Sequence, residues 1–488
     1  MKRQIFNPFL PLDVCIPDGE PHIFGDRVYL YGSHDLEGGW TFCMGDYTVY
    51  SAPVNDLTDW RCEGVIYCAK QDPDYGERPY MYAPDVVKGN DGRYYLYYCM
   101  SGEFGYGGYY GPISVAVCDS PAGKYEYLGY VRYPDGTPMK KYVCFDPCAF
   151  SDNGRILIYY GTQYQGETNE ELAADETKMA EVMKRYAKTR EEILSTPDNV
   201  NGPAVVELED DMLTIKGEPK HIIPYEADFG GHEFFEASSM RKVGDKYYFV
   251  YSSQQNHELC YAISDYPDRD FRFMGTLVSN GDIGVNGVTH ETKMNMTGTT
   301  HGSIIELNGQ WYVFYHRLTH KSDYSRQACA ERITIAPDGS IKQAEMTSCG
   351  LNGGPLIGRG TYPAVIACNI TNGRMPHGSN RIFTDSFPNV TNSGDERFIG
   401  EISDGTLIGY KYFEFEQLSR ITLNVRGSGG SFAVSTSVGG EPLCTIEVPQ
   451  TEKWTTVSAD VSLGNGVYPL YLTYSGSGTA ELIEISFE

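Results

Sequence analysis

The sequence predicts an all-β protein: a five-bladed β-propeller carrying one helical insertion, followed by a β-sandwich of the jelly-roll kind. Three observations predict it. One β-rich hairpin recurs five times, a helix-forming block accounts for the one irregular spacing, and the texture of the chain changes after residue 350.

The hairpin comes first. "GDRVYLYGS" starts at Gly25, "DGRYYLYYC" at Asp91, "NGRILIYYG" at Asn153, "GDKYYFVYS" at Gly244 and "NGQWYVFYH" at Asn308. Each is a glycine-containing turn followed by a run of β-branched and aromatic residues, which is hairpin chemistry. The runs begin at Val28, Tyr94, Ile156, Tyr247 and Trp311, giving spacings of 66, 62, 91 and 64. A period near 64 suits four short strands per unit, as in propeller blades. The long spacing contains "ETNEELAADETKMAEVMKRYAKTREEIL", residues 167–194, rich in Ala, Glu, Lys and Met and free of Gly and Pro. That composition predicts helix, inserted in a loop of an otherwise β domain. The propeller is expected over 1–350 and a packing or linker segment over 351–384. After that, short strands alternate with Gly-rich turns over 385–488, which reads as the sandwich.

Composition narrows the function. The 488 residues are too many for one core, and 39 Tyr, 54 Gly and 26 Pro fit many short strands with frequent turns. A formal charge of −26 disfavours nucleic acid and anionic membrane as partners. The N-terminal stretch has no apolar h-region and no run is apolar enough to span a bilayer, so a cytoplasmic location is expected. The 13 cysteines are odd in number, scattered and without a CxxC pair, which reads as reduced buried thiols.

Ionisable residues recur at one place in the repeat. Asp18, Asp85, Asp146, Glu236 and His301 each lie nine to eleven residues before their β-rich run. Taken singly, each acid is explained by a turn or a strand cap. As a set they mark the start of each inner strand. Inner strands line a propeller's axis, so the five groups should converge at one end of the channel. Converging carboxylates push each other's pKa values apart, which points to a binding or catalytic site.

These residues resemble glycoside hydrolase family 43. "NPFLPLDVCIPDGEPHIFGDRVYLYGS" is similar to the family's opening segment and implies a general base at Asp18. "YAPDVV" resembles its second-blade segment, with Tyr82 for Trp, and suggests a substrate contact at Asp85. "FDPCAF" implies a pKa-tuning role for Asp146. "FFEASSMRKVGDKYYFVYS" implies the general acid at Glu236, with Ala237-Ser238 where the family often has Gly-Pro. "GTTHGSIIELNGQWYVFYHR" places His301 near an axial metal, often calcium, and "SRQACAERI" suggests that Arg326 reaches the substrate. Calcium takes mainly oxygen ligands, so one histidine plus waters would make a weak site. No organic cofactor is expected. Arg326 could instead be a surface charge and His301 a core histidine. Trp40 and Phe42 offer either a sugar-stacking wall or core packing.

The C-terminal hundred residues resemble carbohydrate-binding module family 6, through "KYFEFE", "LNVRGSGGSFAVST", "TEKWTTVS" and "GVYPLYLTYSGSG". Tyr410, Tyr412 and Trp454 are candidate sugar platforms there, unless they are core, and the module could serve only as a buttress. Together the resemblances imply an inverting exo-glycosidase acting on xylo- or arabinoxylo-oligosaccharides. β-D-Xylosidase comes first, α-L-arabinofuranosidase is the alternative, and a glycan-binding propeller without turnover is the non-enzyme rival. Inversion needs an acid and a base carboxyl roughly 6.5–9.5 Å apart.

Overall fold

The computed structural model describes residues 3–76, 79–101, 111–162, 168–186, 188–195, 201–223, 227–378 and 380–488. Five antiparallel sheets follow one another along the chain. Their innermost strands are Glu20–Phe24, Asp85–Lys88, Cys148–Asp152, Phe234–Val243 and Ser303–Leu307. Four sheets have four strands and the last has three, Ser303–Leu307, Gln310–Thr319 and Ser322–Ile333. The recurring turns are the ones the sequence announced. Asn153-Gly154 and Asn308-Gly309 take positive φ at both residues (52° and 83°, 51° and 78°), the requirement of a two-residue type I′ hairpin.

The first segment of the chain closes the ring. Beside the three-stranded last blade, the Asn7 amide N–H donates to Ser348 O (3.0 Å) and that of Phe9 to Ala328 O (3.3 Å). The Asn7 side chain donates to Ala330 O and accepts from Ala330 N, both at 3.0 Å. The apolar cores lie between neighbouring blades, each pair sharing one, and the closing pair draws in Ile5, Phe9 and Leu10. Burial is therefore satisfied off the axis, and the axis itself is left to polar side chains.

The insertion forms three short helices between the second and third strands of the third blade: α1 (Asn169–Ala174), α2 (Glu176–Tyr186) and α3 (Arg190–Leu194). Thr168 and Thr189 cap α1 and α3 through reciprocal bonds with Glu171 and Glu192. Residues 167 and 187 of the expected helical block lie outside the described set. Leu172, Met179, Val182 and Ile193 pack with Cys43, Tyr82 and Phe145, with Phe42 at the edge, so the helices sit at the end of the axis where Phe42 lies.

The C-terminal sheet begins earlier than the sequence suggests. Leu356–Ile357, Gly360–Pro363 and Asn369–Thr371, within the segment expected to link the domains or pack between them, pair with strands Leu407–Phe415 and Ala480–Phe487. Strands of two to four residues in Gly-rich surroundings carry no periodicity of their own, so pairing alone defines them. The sheet curls because strand Leu418–Ser435 changes partners. Its first half pairs with Ala480–Phe487 and its second half with Gly466–Ser475. At the crossing, a Cβ on Gly427 would meet Thr479 O at 2.4 Å and one on Gly430 would meet Ser475 O at 2.5 Å, so both must be glycine. A continuous apolar core fills the sandwich.

Candidate active site

The first inner strand, Glu20–Phe24, carries Glu20 and His22 on one face, and Asp18 lies two residues before it in the turn that leads into the strand. Asp18 has φ 58° and is 5 % exposed. Its carboxylate accepts from Arg326 Nη1 at 2.8 Å, and its backbone N–H donates to His316 Nδ1 at 3.4 Å. His316 Nε2 donates to Thr299 O at 2.8 Å, and burial takes its pKa down to about 3, so the ring is neutral with its proton on Nε2. Burial raises the Asp18 carboxyl, but the Arg326 guanidinium, the strongest opposing charge, holds it below the ordinary aspartate value. Asp18 is thus an ionised carboxylate.

Glu236 has the opposite character. It sits in a β-bulge of the fourth inner strand, where the register shifts on both sides of it. Bulges re-aim side chains, and this one gives Ala237 a φ of 69° and points its N–H at Asp146 Oδ2, 3.1 Å away. Burial, then the charge of Asp18, push the Glu236 carboxyl up to about 8; Arg326 opposes and Asp323 adds to the rise. Asp146 is also raised well above its usual range, by burial first and then by Glu236 and Asp18. Both carboxyls are raised by burial and by their acidic neighbours, so the site holds a proton at neutral pH.

Arg326 is the hub. It is 5 % exposed and grips Asp35 through Nε (2.7 Å) and Nη2 (3.0 Å) while Nη1 holds Asp18. The Phe42 ring lies 4.7 Å from its guanidinium carbon, so Phe42 backs the arginine, and it meets Tyr324 edge-on at 4.6 Å. Trp40, two residues before Phe42, is 47 % exposed.

The axis also holds a second layer. Asp85 is fully buried; its oxygens accept from Ala149 N (2.8 Å) and Val86 N (2.7 Å), and His22 Nε2 lies at 2.5 Å. It ties three blades together and has no surface for a sugar, contrary to the substrate contact expected of it. Arg241 reaches into this layer, donating to Glu20 at 2.6 Å and to Pro21 O at 3.1 Å. Burial opposes its charge, and Glu20 and Asp85 more than offset that. The calcium expected near His301 fits these residues poorly. Calcium wants about six to eight oxygens. Glu20, His22 and Asp85 bring ligand atoms within 4.8 Å of one another and Glu20 Oε1 has no hydrogen-bond partner among the described residues, but Arg241 sits on Glu20 and Arg326 on Asp18, and two carboxylates with one imidazole fall short of that number of oxygens. Asp146 Oδ2 lies 3.7 Å from His301 Nδ1. Burial lowers the His301 pKa to about 4, so it is a neutral ring between the carboxylates.

The sequence matches a known family along the propeller. The model for "Glycosyl hydrolases family 43" matches residues 7–207 and 184–341, and that for "Carbohydrate binding module (family 6)" matches 386–488. The chain belongs to glycosyl hydrolase family 43. It is a glycoside hydrolase with a family 6 type module. A "Xylosidase/arabinosidase" of Thermoclostridium stercorarium is 43 % identical over 99 % of this chain and 98 % of its own. An "Arabinoxylan arabinofuranohydrolase" of Paenibacillus polymyxa is 24 % identical over 95 % of this chain and 71 % of its own. A crystal structure of a "GH43_1 enzyme" from Xanthomonas citri shares the fold at a TM-score of 0.52 and 24 % identity, over 70 % of this chain and 94 % of that one.

Within this family 43 chain, sequence reasoning missed Asp35, His316 and Asp323. His316 was in plain view at the end of "YVFYH", and its neighbour Arg317 reaches the interdomain carbonyls Val365 O and Ala367 O. Asp323 carries no pattern signal; its role follows from the Thr299 and Asn380 amides that bond it. In the module, Tyr410 is fully buried and bonds Ala364 O at 3.0 Å, and Tyr412 donates to Glu345 of the propeller at 2.7 Å. Trp454 is covered by Arg426 at 4.2 Å. The three candidate platforms therefore do not converge.

Proposed function

We propose that the protein is an inverting exo-glycosidase releasing terminal xylose or arabinose from xylan- and arabinoxylan-derived oligosaccharides, with β-D-xylosidase activity foremost. The observation that carries the mechanism is the split protonation of two axial carboxyls: Asp18 is ionised and Glu236 keeps its proton up to about 8. Glycoside hydrolysis by inversion needs this pair, one acid and one base. Glu236 donates its proton to the glycosidic oxygen as the bond to the anomeric carbon breaks. Asp18 accepts a proton from the water that attacks that carbon from the opposite face. Arg326 fixes Asp18 and has an Nη1 N–H left for a sugar hydroxyl, Asp146 holds the Glu236 bulge, and the partly exposed Trp40 is the candidate to stack on a sugar ring.

An α-L-arabinofuranosidase activity of the same site is the second reading, favoured by the double name of the Thermoclostridium stercorarium relative. The test is a panel of nitrophenyl xyloside, arabinofuranoside, arabinopyranoside and galactoside, with the anomer of the released sugar followed by NMR. Hydrolysis of the xyloside with inversion is expected. Retention of configuration, or turnover of galactoside alone, would defeat the reading.

A further inference from the structure

We propose that the C-terminal module is part of the catalytic machinery through one ionic clamp, with Arg397 as a positioning residue for the base. This rests on the reading of Asp18 as base. Arg397 lies on strand Glu396–Ile402 of the sandwich. It holds Glu37 of the first blade in a two-pronged pair, Nε to Oε1 at 2.9 Å and Nη2 to Oε2 at 2.8 Å. Asn392 of the adjacent strand donates to the same carboxylate at 3.3 Å. Both charged side chains are largely buried, at 19 % and 14 % exposure, so the pair is shielded from solvent in a way surface pairs are not.

Glu37 sits in the loop that supplies the Arg326 socket. Two residues before it, Asp35 grips Arg326; five residues after it, Phe42 lies against the guanidinium. The next residue, Gly38, donates its N–H to Ser325 Oγ at 3.1 Å, the residue before Arg326. His320 joins the two halves. Its Nε2 lies 3.1 Å from Asn392 Oδ1 and 3.9 Å from Glu37, its Nδ1 is 3.2 Å from Ser325 Oγ, and its backbone N–H donates to Val390 O at 2.8 Å. A contiguous path of bonds thus runs from the module to the guanidinium that keeps Asp18 ionised.

The rest of the interface makes the module a fixed wall. Lys411, 2 % exposed, bonds Asp282 and Glu345 of the propeller at 3.0 Å each. Arg397→Met and Glu37→Gln therefore loosen one loop without detaching the module. With the loop free, Arg326 spends less time on Asp18. Asp18 is faced by Arg326, His301 and His316, with the carboxyls of Glu236, Asp146 and Asp35 around it. Losing the arginine leaves neutral imidazoles and other acids, and its proton affinity rises.

The experiment is the pH dependence of kcat/KM for wild type, Arg397→Met, Glu37→Gln and the exchanged pair Glu37→Arg with Arg397→Glu. Both single variants should lose roughly 2- to 30-fold in kcat/KM, the usual range for residues along a coupling path. Their acid limb should move up by about half a pH unit, a shift of the size a displaced neighbouring charge gives. The exchanged pair should recover part of both. An acid limb that stays in place in both single variants overturns the proposal, whether or not thermal stability falls, because loss of support alone would not move it. Asp18→Asn run alongside separates the two claims. If it retains activity, the base assignment fails; if it is inactive while Arg397→Met is unchanged, only the clamp fails.

Discussion

Two layers of the propeller axis are built from the same strands and the same residue types, yet they do different things. In one layer Glu20, His22, Asp85 and Arg241 face each other: Arg241 holds Oε2 of Glu20 and His22 bonds Asp85, although burial still raises Glu20 and its Oε1 has no hydrogen-bond partner among the described residues. In the other layer Asp18 has its arginine, whereas Glu236 is raised by burial and by the charge of Asp18, which the more distant pull of Arg326 does not overcome. A partly buried carboxyl beside another carboxylate keeps its proton when the nearest cation is held elsewhere. A carboxylate gripped by an arginine braces the blades, and a carboxyl beside a second carboxylate in the next layer makes an acid.

The largest way to break that contrast is at the base. Asp18→Ala should lower kcat on xylosides and arabinosides by about 10³-fold or more, the scale of lost general-base and positioning catalysis, with the fold retained by circular dichroism. Loss within tenfold would remove Asp18 from the reaction. Next comes the brace. Arg241→Met leaves the Glu20 and Asp85 carboxyls without their cation and should destabilise the propeller by ~3–5 kcal/mol, read as a lower thermal midpoint. In the wild type, a chelator should change neither that midpoint nor the rate, since Arg241 supplies the axial charge.

Smaller effects sharpen the layer of Asp18 and Glu236. Because the Glu236 pKa is raised, its acid form is present below about 8 and is lost as pH climbs through that value, which sets the alkaline limb of the rate profile. Asp146→Asn removes an acidic neighbour, so the limb should move to lower pH and the rate should fall. Substrates with good leaving groups should suffer less than xylo-oligosaccharides. An unmoved limb would leave Asp146 as a prop for the bulge through Ala237 N. The smallest change is at that bulge. A left-handed backbone costs an alanine ~1–2 kcal/mol that glycine escapes. Ala237→Gly should therefore raise stability by about 1 kcal/mol, measured by thermal or denaturant unfolding.

The hairpin repeat determined the blade count, and the helix-forming composition of 167–194 determined the insertion, because turn chemistry and propensity are local and survive in the sequence. The placement of Asp18, Asp146, Glu236 and His301 at the start of inner strands followed from the same periodicity, and the chain belongs to the family that pattern resembles. Asp85 shows where periodicity stops. It shares the register, but its side chain turns into bonds with Ala149 and His22, a matter of inter-blade packing. Tyr410 and Tyr412 show the same for the module: their aromatic character is legible, but which faces the core and which faces Glu345 is decided by a sheet whose first strands look like linker. The Arg397–Glu37 clamp joins residues 360 positions apart, and the Asp35 and Asp18 grips on Arg326 span 291 and 308. Contacts at such separation leave no local pattern, so only the closed ring and the docked sandwich could bring those charges together.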